Sequence, residues 1–130
     1  MSPRRHDLLL VHLPAVAWLA AMTVALAVPS DVADLPGWVP RFLHFHALDK
    51  VIHGFLFAGA GLLVARRFRR LPGVPRPVLA AFLALVAYGA ATEVGQHLFT
   101  DRAGEAADVG ADVLGAGLGV AVLGLGRSGR

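Results

Sequence analysis

The stretch VLAAFLALVAYGAATEVGQHLF, residues 78–99, decides the fold, since it runs 15 residues before its one formal charge at Glu93. A bilayer core about 30 Å thick is crossed by roughly 20 apolar helical residues, so this stretch reads as a transmembrane helix. Three further apolar runs flank it. Leu8 to Val28 follows Arg4 and Arg5, precedes Pro29, and is interrupted only by His12, Thr23 and Pro14. Ala47 to Ala65 has a short uncharged part, Val51 to Ala65, which puts Asp49 and Lys50 at the membrane surface and His53 just inside. Val109 to Gly126 is Gly-rich and encloses Asp112. The expected fold is therefore all-α, a four-helix transmembrane bundle forming one domain over residues 1–130, with spans at about 8–28, 47–65, 78–99 and 109–126.

The first run also has the form of a cleaved signal peptide, with Ala25, Leu26 and Ala27 as a small-residue cleavage site behind a basic start. Its 21 residues exceed the usual signal core of roughly 7 to 15, which favours the span. Composition agrees with a membrane setting. Hydrophobic residues make up 56% of the 130 and charged residues 16%, against about 25% charged in soluble domains. The mean hydropathy is +0.63. A net charge of +3 and a pI near 10.6 would suggest nucleic acid in a soluble protein, but the basic residues fall in short clusters between apolar runs. That distribution marks a cytoplasmic membrane face and argues against a nucleic-acid partner. The chain contains no Cys, which removes disulfides, thiol nucleophiles and thiolate metal sites.

Orientation follows from the arginines. With the amino terminus inside, the cytoplasmic side holds Arg4, Arg5, Arg66, Arg67, Arg69, Arg70, Arg76, Arg127 and Arg130, while the other side keeps Arg41, Lys50 and Arg102. The positive-inside rule thus places both termini in the cytoplasm of a multi-pass cell-membrane protein. His53, Glu93 and Asp112 then share one depth, roughly 4 to 9 Å below the outer boundary at 1.5 Å per residue. A carboxylate facing lipid near the centre costs about 3 kcal/mol on insertion scales, so Glu93 and Asp112 are expected to face the bundle interior or a hydrated cleft.

Spacing supports that expectation. Asp49 and His53, Glu93 and His97, and Asp108 and Asp112 are each four residues apart, so each pair lies on one helical face. Asp108, Asp112, Gly115 and Gly119 form a stripe in which carboxylates and small packing residues share a face, the pattern of a buried helix contact. Asp49, Lys50, His53, Glu93, Gln96, Arg102, Asp108 and Asp112 together make an outward polar site; the alternative is an ion-pair network that only holds the helices together. His44 and His46 lie in a loop, and Glu93, His97, Asp108 and Asp112 offer oxygen and nitrogen ligands suited to Mg²⁺, Mn²⁺ or Zn²⁺. No recognised zinc spacing is present, so neither a metal nor a cofactor is assigned. Ser2, Ser30 and Ser128 lie outside the cluster, which gives no support to a Ser, His, Asp triad.

Two stretches, DKVIHGFLFAGAGLL from Asp49 and ATEVGQHLFTDRAGEAADVGADVLGAGLG from Ala91, resemble the VanZ-like family of small integral membrane proteins and cover about a third of the chain. The family's Asp and Lys followed by His are matched by Asp49, Lys50 and His53, its Glu and Gln by Glu93 and Gln96, and its Arg and Asp by Arg102 and Asp108. Where the family usually has Asn four residues after that Asp, this chain has Asp112, which departs from an amide donor and adds a potential negative charge. The family takes its name from a member associated with teicoplanin resistance. The resemblance implies a cell-envelope role and supplies no reaction.

Four functions are compatible with these residues. The leading expectation is a binding protein for a lipid headgroup or lipid-linked envelope precursor, with Lys50 and Arg102 on phosphate, His53 and Gln96 on polar groups, and Glu93, Asp108 and Asp112 orienting the cations or binding hydroxyls. The second is an enzyme on such a lipid, with Glu93 or Asp108 as general base and His53 as acid or nucleophile. Proton or ion movement is third, although no polar path continues into the cytoplasmic half of the last three helices. A structural or accessory subunit is the fourth. Oligomeric state is not legible in the sequence.

Overall fold

In a computed structural model the chain is described over residues 3–27, 46–99 and 106–125, with side chains described over 12–27, 50–99 and 106–124. The described residues form four helices: α1 (Pro3–Ala27), α2 (His46–Phe68), α3 (Pro77–Phe99) and α4 (Ala106–Leu125). Helix α3 begins at Pro77, which suits a first helical position because the N–H that proline lacks would have no partner there. The preceding Arg76 has φ 47° and Gly73 φ 79°, so the short α2–α3 connection turns through the left-handed region twice. Hydrogen bonds from Arg70 N to Arg67 O (3.0 Å) and Leu71 N to Phe68 O (3.2 Å) tighten the end of α2 before that turn.

Three helices are long and apolar enough to cross a membrane: Lys50–Phe68, Pro77–Phe99 and Ala106–Gly124. The first helix adds a shorter apolar stretch, His12–Ala27, among its described side chains. Boundaries differ modestly from expectation. Helix α2 runs on through Arg66 and Arg67, because arginines at a helix carboxyl end complement its dipole and do not break it. Helix α4 begins at Ala106, three residues before the apolar run, and so takes Asp108 into its first turn, where a carboxylate faces the positive helix end.

The burial pattern suits lipid surroundings. Leu13, Val24, Phe55, Leu83, Val94, Leu98, Leu114 and Leu118 are exposed, whereas His53, Glu93, Gln96, Asp108 and Asp112 are buried. Water would favour the reverse arrangement; a bilayer favours this one. The apolar core is built from Met22, Leu26, Phe57, Ala60, Val64, Ala81, Leu85, Ala116 and Val120.

Helices α2 and α4 run parallel and pack backbone to backbone. A Cβ added at Gly115 would meet the Gly54 carbonyl, one at Gly119 the Ala58 carbonyl, and one at Gly61 the Ala116 carbonyl at 2.6 Å. Only residues without side chains allow that approach, which is how small residues four apart bring membrane helices together. Helix α1 is held by directed bonds as well as packing. Its Trp18 Nε1 donates to Leu56 O at 2.9 Å, with the indole filling the space above Gly59. Thr23 Oγ1 and Tyr88 Oη lie 2.6 Å apart.

Candidate functional site

The α2–α4 seam carries two polar rungs directly beside its glycine contacts. Lys50 Nζ lies 3.2 Å from Asp108 Oδ1, and His53 Nδ1 lies 2.8 Å from Asp112 Oδ1. The next contacts along the same seam are Gly54 with Gly115 and Ala58 with Gly119. Close backbone approach at the glycines therefore sets the distance at the polar rungs, because parallel helices in fixed register keep neighbouring positions opposed. The sequence stripe Asp108, Asp112, Gly115, Gly119 is buried along its whole length.

Depth is shared as well. His53 is seven residues from the start of α2, Glu93 six from the end of α3, and Asp112 six from the start of α4. At 1.5 Å per residue these are all about 9 to 11 Å from their helix ends. Glu93 of α3 joins the rungs from the third side: one ligand-type atom from each of His53, Glu93 and Asp108 falls within 4.8 Å of the other two. All three residues are buried. Gly89, one turn before Glu93, leaves room for the pair, since a Cβ there would lie 3.1 Å from Asp112 Oδ2 and 3.3 Å from the Phe57 ring.

The His53–Asp112 pair is the most deeply enclosed polar contact among the described residues, each side chain being 1% exposed. An ionised carboxylate can only accept, so Asp112 requires a proton on His53 Nδ1. In the neutral imidazole this leaves a lone pair on Nε2. A carboxylate holding one ring nitrogen fixes both the tautomer and the direction of the other nitrogen, an arrangement used by general bases and by metal-bound histidines.

Gln96 is buried one turn from Glu93, and its Nε2 donates to Leu26 O at 2.6 Å. That bond satisfies a carbonyl in the last turn of α1, where helices leave acceptors without an intrahelical donor, and it ties α1 to the polar end of the bundle. His97 is exposed on α3, apart from the buried group. Asp49 lies in α2 and Arg4 and Arg5 in α1 without described side chains, and Arg102, His44, Arg41, Arg127 and Arg130 lie outside the described residues.

At the opposite end of the bundle the Arg67 guanidinium lies against the His12 ring, with Nε 2.5 Å from Nδ1. Arg69 donates to Leu123 O at 3.0 Å. These contacts bind α2 to α1, and the turn after α2 to α4, through the arginine cluster that the sequence assigns to topology. They left no periodic signal, since each is a long side chain reaching a neighbour.

Compared with protein families, curated proteins and solved structures, the chain matches none. The residues themselves therefore carry the functional reading: a histidine, three carboxylates and a lysine gathered inside apolar helices.

Proposed function

We propose that this chain is a multi-pass cell-membrane protein whose polar centre binds the headgroup of a membrane lipid or lipid-linked envelope precursor from the extracytoplasmic side. The carrying observation is the convergence of His53, Glu93 and Asp112 at one depth, with the Lys50–Asp108 pair on the next rung toward the helix ends, where apolar residues would be the inexpensive choice. Lys50 contacts the phosphate, with Arg102 as a second cation from the adjoining segment. Glu93 and Asp112 set the position of polar groups and accept from hydroxyls. Helix α1 completes a fourth span, and the arginine distribution supports cytoplasmic termini. The likeness of residues 49–63 and 91–119 to the VanZ-like family supports an envelope role.

The His53–Asp112 bond favours a second reading, an enzyme acting on such a lipid. A carboxylate-oriented imidazole is a competent general base, with Glu93 beside it as the acid partner. Mass spectrometry of lipid retained after gentle purification separates the two. The binding reading expects one headgroup class on the wild-type protein and its loss in Glu93→Gln, with the variant still inserted and helical. A chemically altered lipid that accumulates only with the wild type supports the enzyme. Equal retention of the same lipid by both proteins contradicts the site and leaves the carboxylates as packing and charge-balancing elements.

A further inference from the structure

We infer that His53, Glu93 and Asp108 form a binding site for one divalent cation of the Mn²⁺ to Zn²⁺ series, with Asp112 as the residue that orients its histidine ligand. The donors come from three different helices, α2, α3 and α4, and their ligand-type atoms lie within 4.8 Å of one another. Ligands about 2.1 Å from an ion stand about 3 to 4.2 Å apart, so the group needs only a small contraction to close around one. This is a mixed donor set, one imidazole nitrogen and two carboxylate oxygens. Oxygen donors alone would favour Mg²⁺ or Ca²⁺, and the imidazole moves the preference to borderline metals.

The second and independent observation is the hydrogen bond between His53 Nδ1 and Asp112 Oδ1 at 2.8 Å, with both residues 1% exposed. A histidine that binds a metal almost always donates its other ring N–H to a carboxylate or carbonyl, which fixes the tautomer and raises ligand basicity. With His53 coordinating through Nε2, Asp112 plays that part on Nδ1. It belongs to the same helix as the ligand Asp108, one turn further on, so a single helical face supplies both a ligand and the group that orients another.

The inference does not depend on lipid binding, although a bound cation would also let an acidic centre accept a phosphate. It is tested on delipidated, chelator-stripped protein in detergent by titrating Mn²⁺ and following the free-ion electron paramagnetic resonance signal, with Zn²⁺ as competitor. The expected result is saturable uptake of one Mn²⁺ per chain, displaced by Zn²⁺. Glu93→Gln and Asp108→Asn should each weaken uptake by more than about tenfold, and Asp112→Asn by about 10- to 100-fold while leaving all three ligands in place. Paramagnetic broadening of the His53 ring signals before those of the other histidines gives a readout on wild-type protein, for use should a variant fail to fold. Absence of saturable wild-type uptake at millimolar Mn²⁺ or Zn²⁺ overturns the site, as does uptake unchanged in folded Glu93→Gln and Asp108→Asn. Metal uptake without retained lipid, or lipid without metal, separates failure of the headgroup reading from failure of this one.

Discussion

Gly119→Val should prevent stable assembly of the bundle. A Cβ at residue 119 would already run into the Ala58 carbonyl and approach Leu62 N to 2.9 Å, and valine adds two methyl groups beyond it. Neither neighbour is the flexible end of a side chain, so relief requires α2 and α4 to separate. Overpacking a core costs typically about 1–3 kcal/mol where side chains can adjust, and a backbone clash belongs at or above the top of that range. The loss is greater than local, because the same seam sets the Lys50–Asp108 and His53–Asp112 distances. Thermal unfolding in detergent should show a sharply lowered midpoint for Gly119→Val. Gly124→Val, on the same helix with nothing within 4 Å of its added Cβ, should stay near wild type. Similar midpoints for the two variants would mean that α2 and α4 do not pack through this face.

Asp112→Ala should be the most destabilising polar substitution in the centre. Removing one partner of a buried, hydrogen-bonded pair costs about 3–5 kcal/mol, because the other partner stays enclosed without its counterpart. Asp112→Asn retains the shape and one acceptor oxygen, so its cost should be nearer about 1 kcal/mol. Chemical or thermal unfolding of the two variants in parallel measures the difference. An Ala variant as stable as the Asn variant would show that His53 has an adequate partner elsewhere and that Asp112 contributes little to the fold.

Much of the architecture was legible because bilayer thickness sets the length of an apolar run. The expected span 78–99 and the helix Pro77–Phe99 differ by one residue at the start. The ends of α2 and α4 were less legible, since charged residues stop a hydropathy window without stopping a helix. Convergence of His53, Glu93 and Asp112 followed from shared depth and from the cost of exposing carboxylates to lipid. Pairing did not follow. Depth and spacing cannot say that Asp112 takes His53 and that Asp108 takes Lys50, because that choice depends on the register between α2 and α4, which the glycine contacts fix. The donor group was legible in part: Glu93 and Asp108 stood out beside His97, but the histidine that joins them is His53, on a third helix, and metal spacing is readable only within one helix or loop. Trp18 on Leu56 O and Gln96 on Leu26 O were invisible too, as both use backbone carbonyls that every residue possesses.

The central claim is that α2 and α4 enclose a His53 ring whose Nδ1 proton is held by Asp112. Nitrogen-15 and proton magnetic resonance of the histidine rings tests it most directly, with His53 assigned by substitution among the six histidines of the chain. The expected His53 spectrum has a protonated, downfield Nδ1–H that exchanges slowly with water, an unprotonated Nε2, and loss of the downfield proton in Asp112→Ala. A His53 ring carrying its proton on Nε2 and exchanging with water as fast as the exposed His97 would contradict the account.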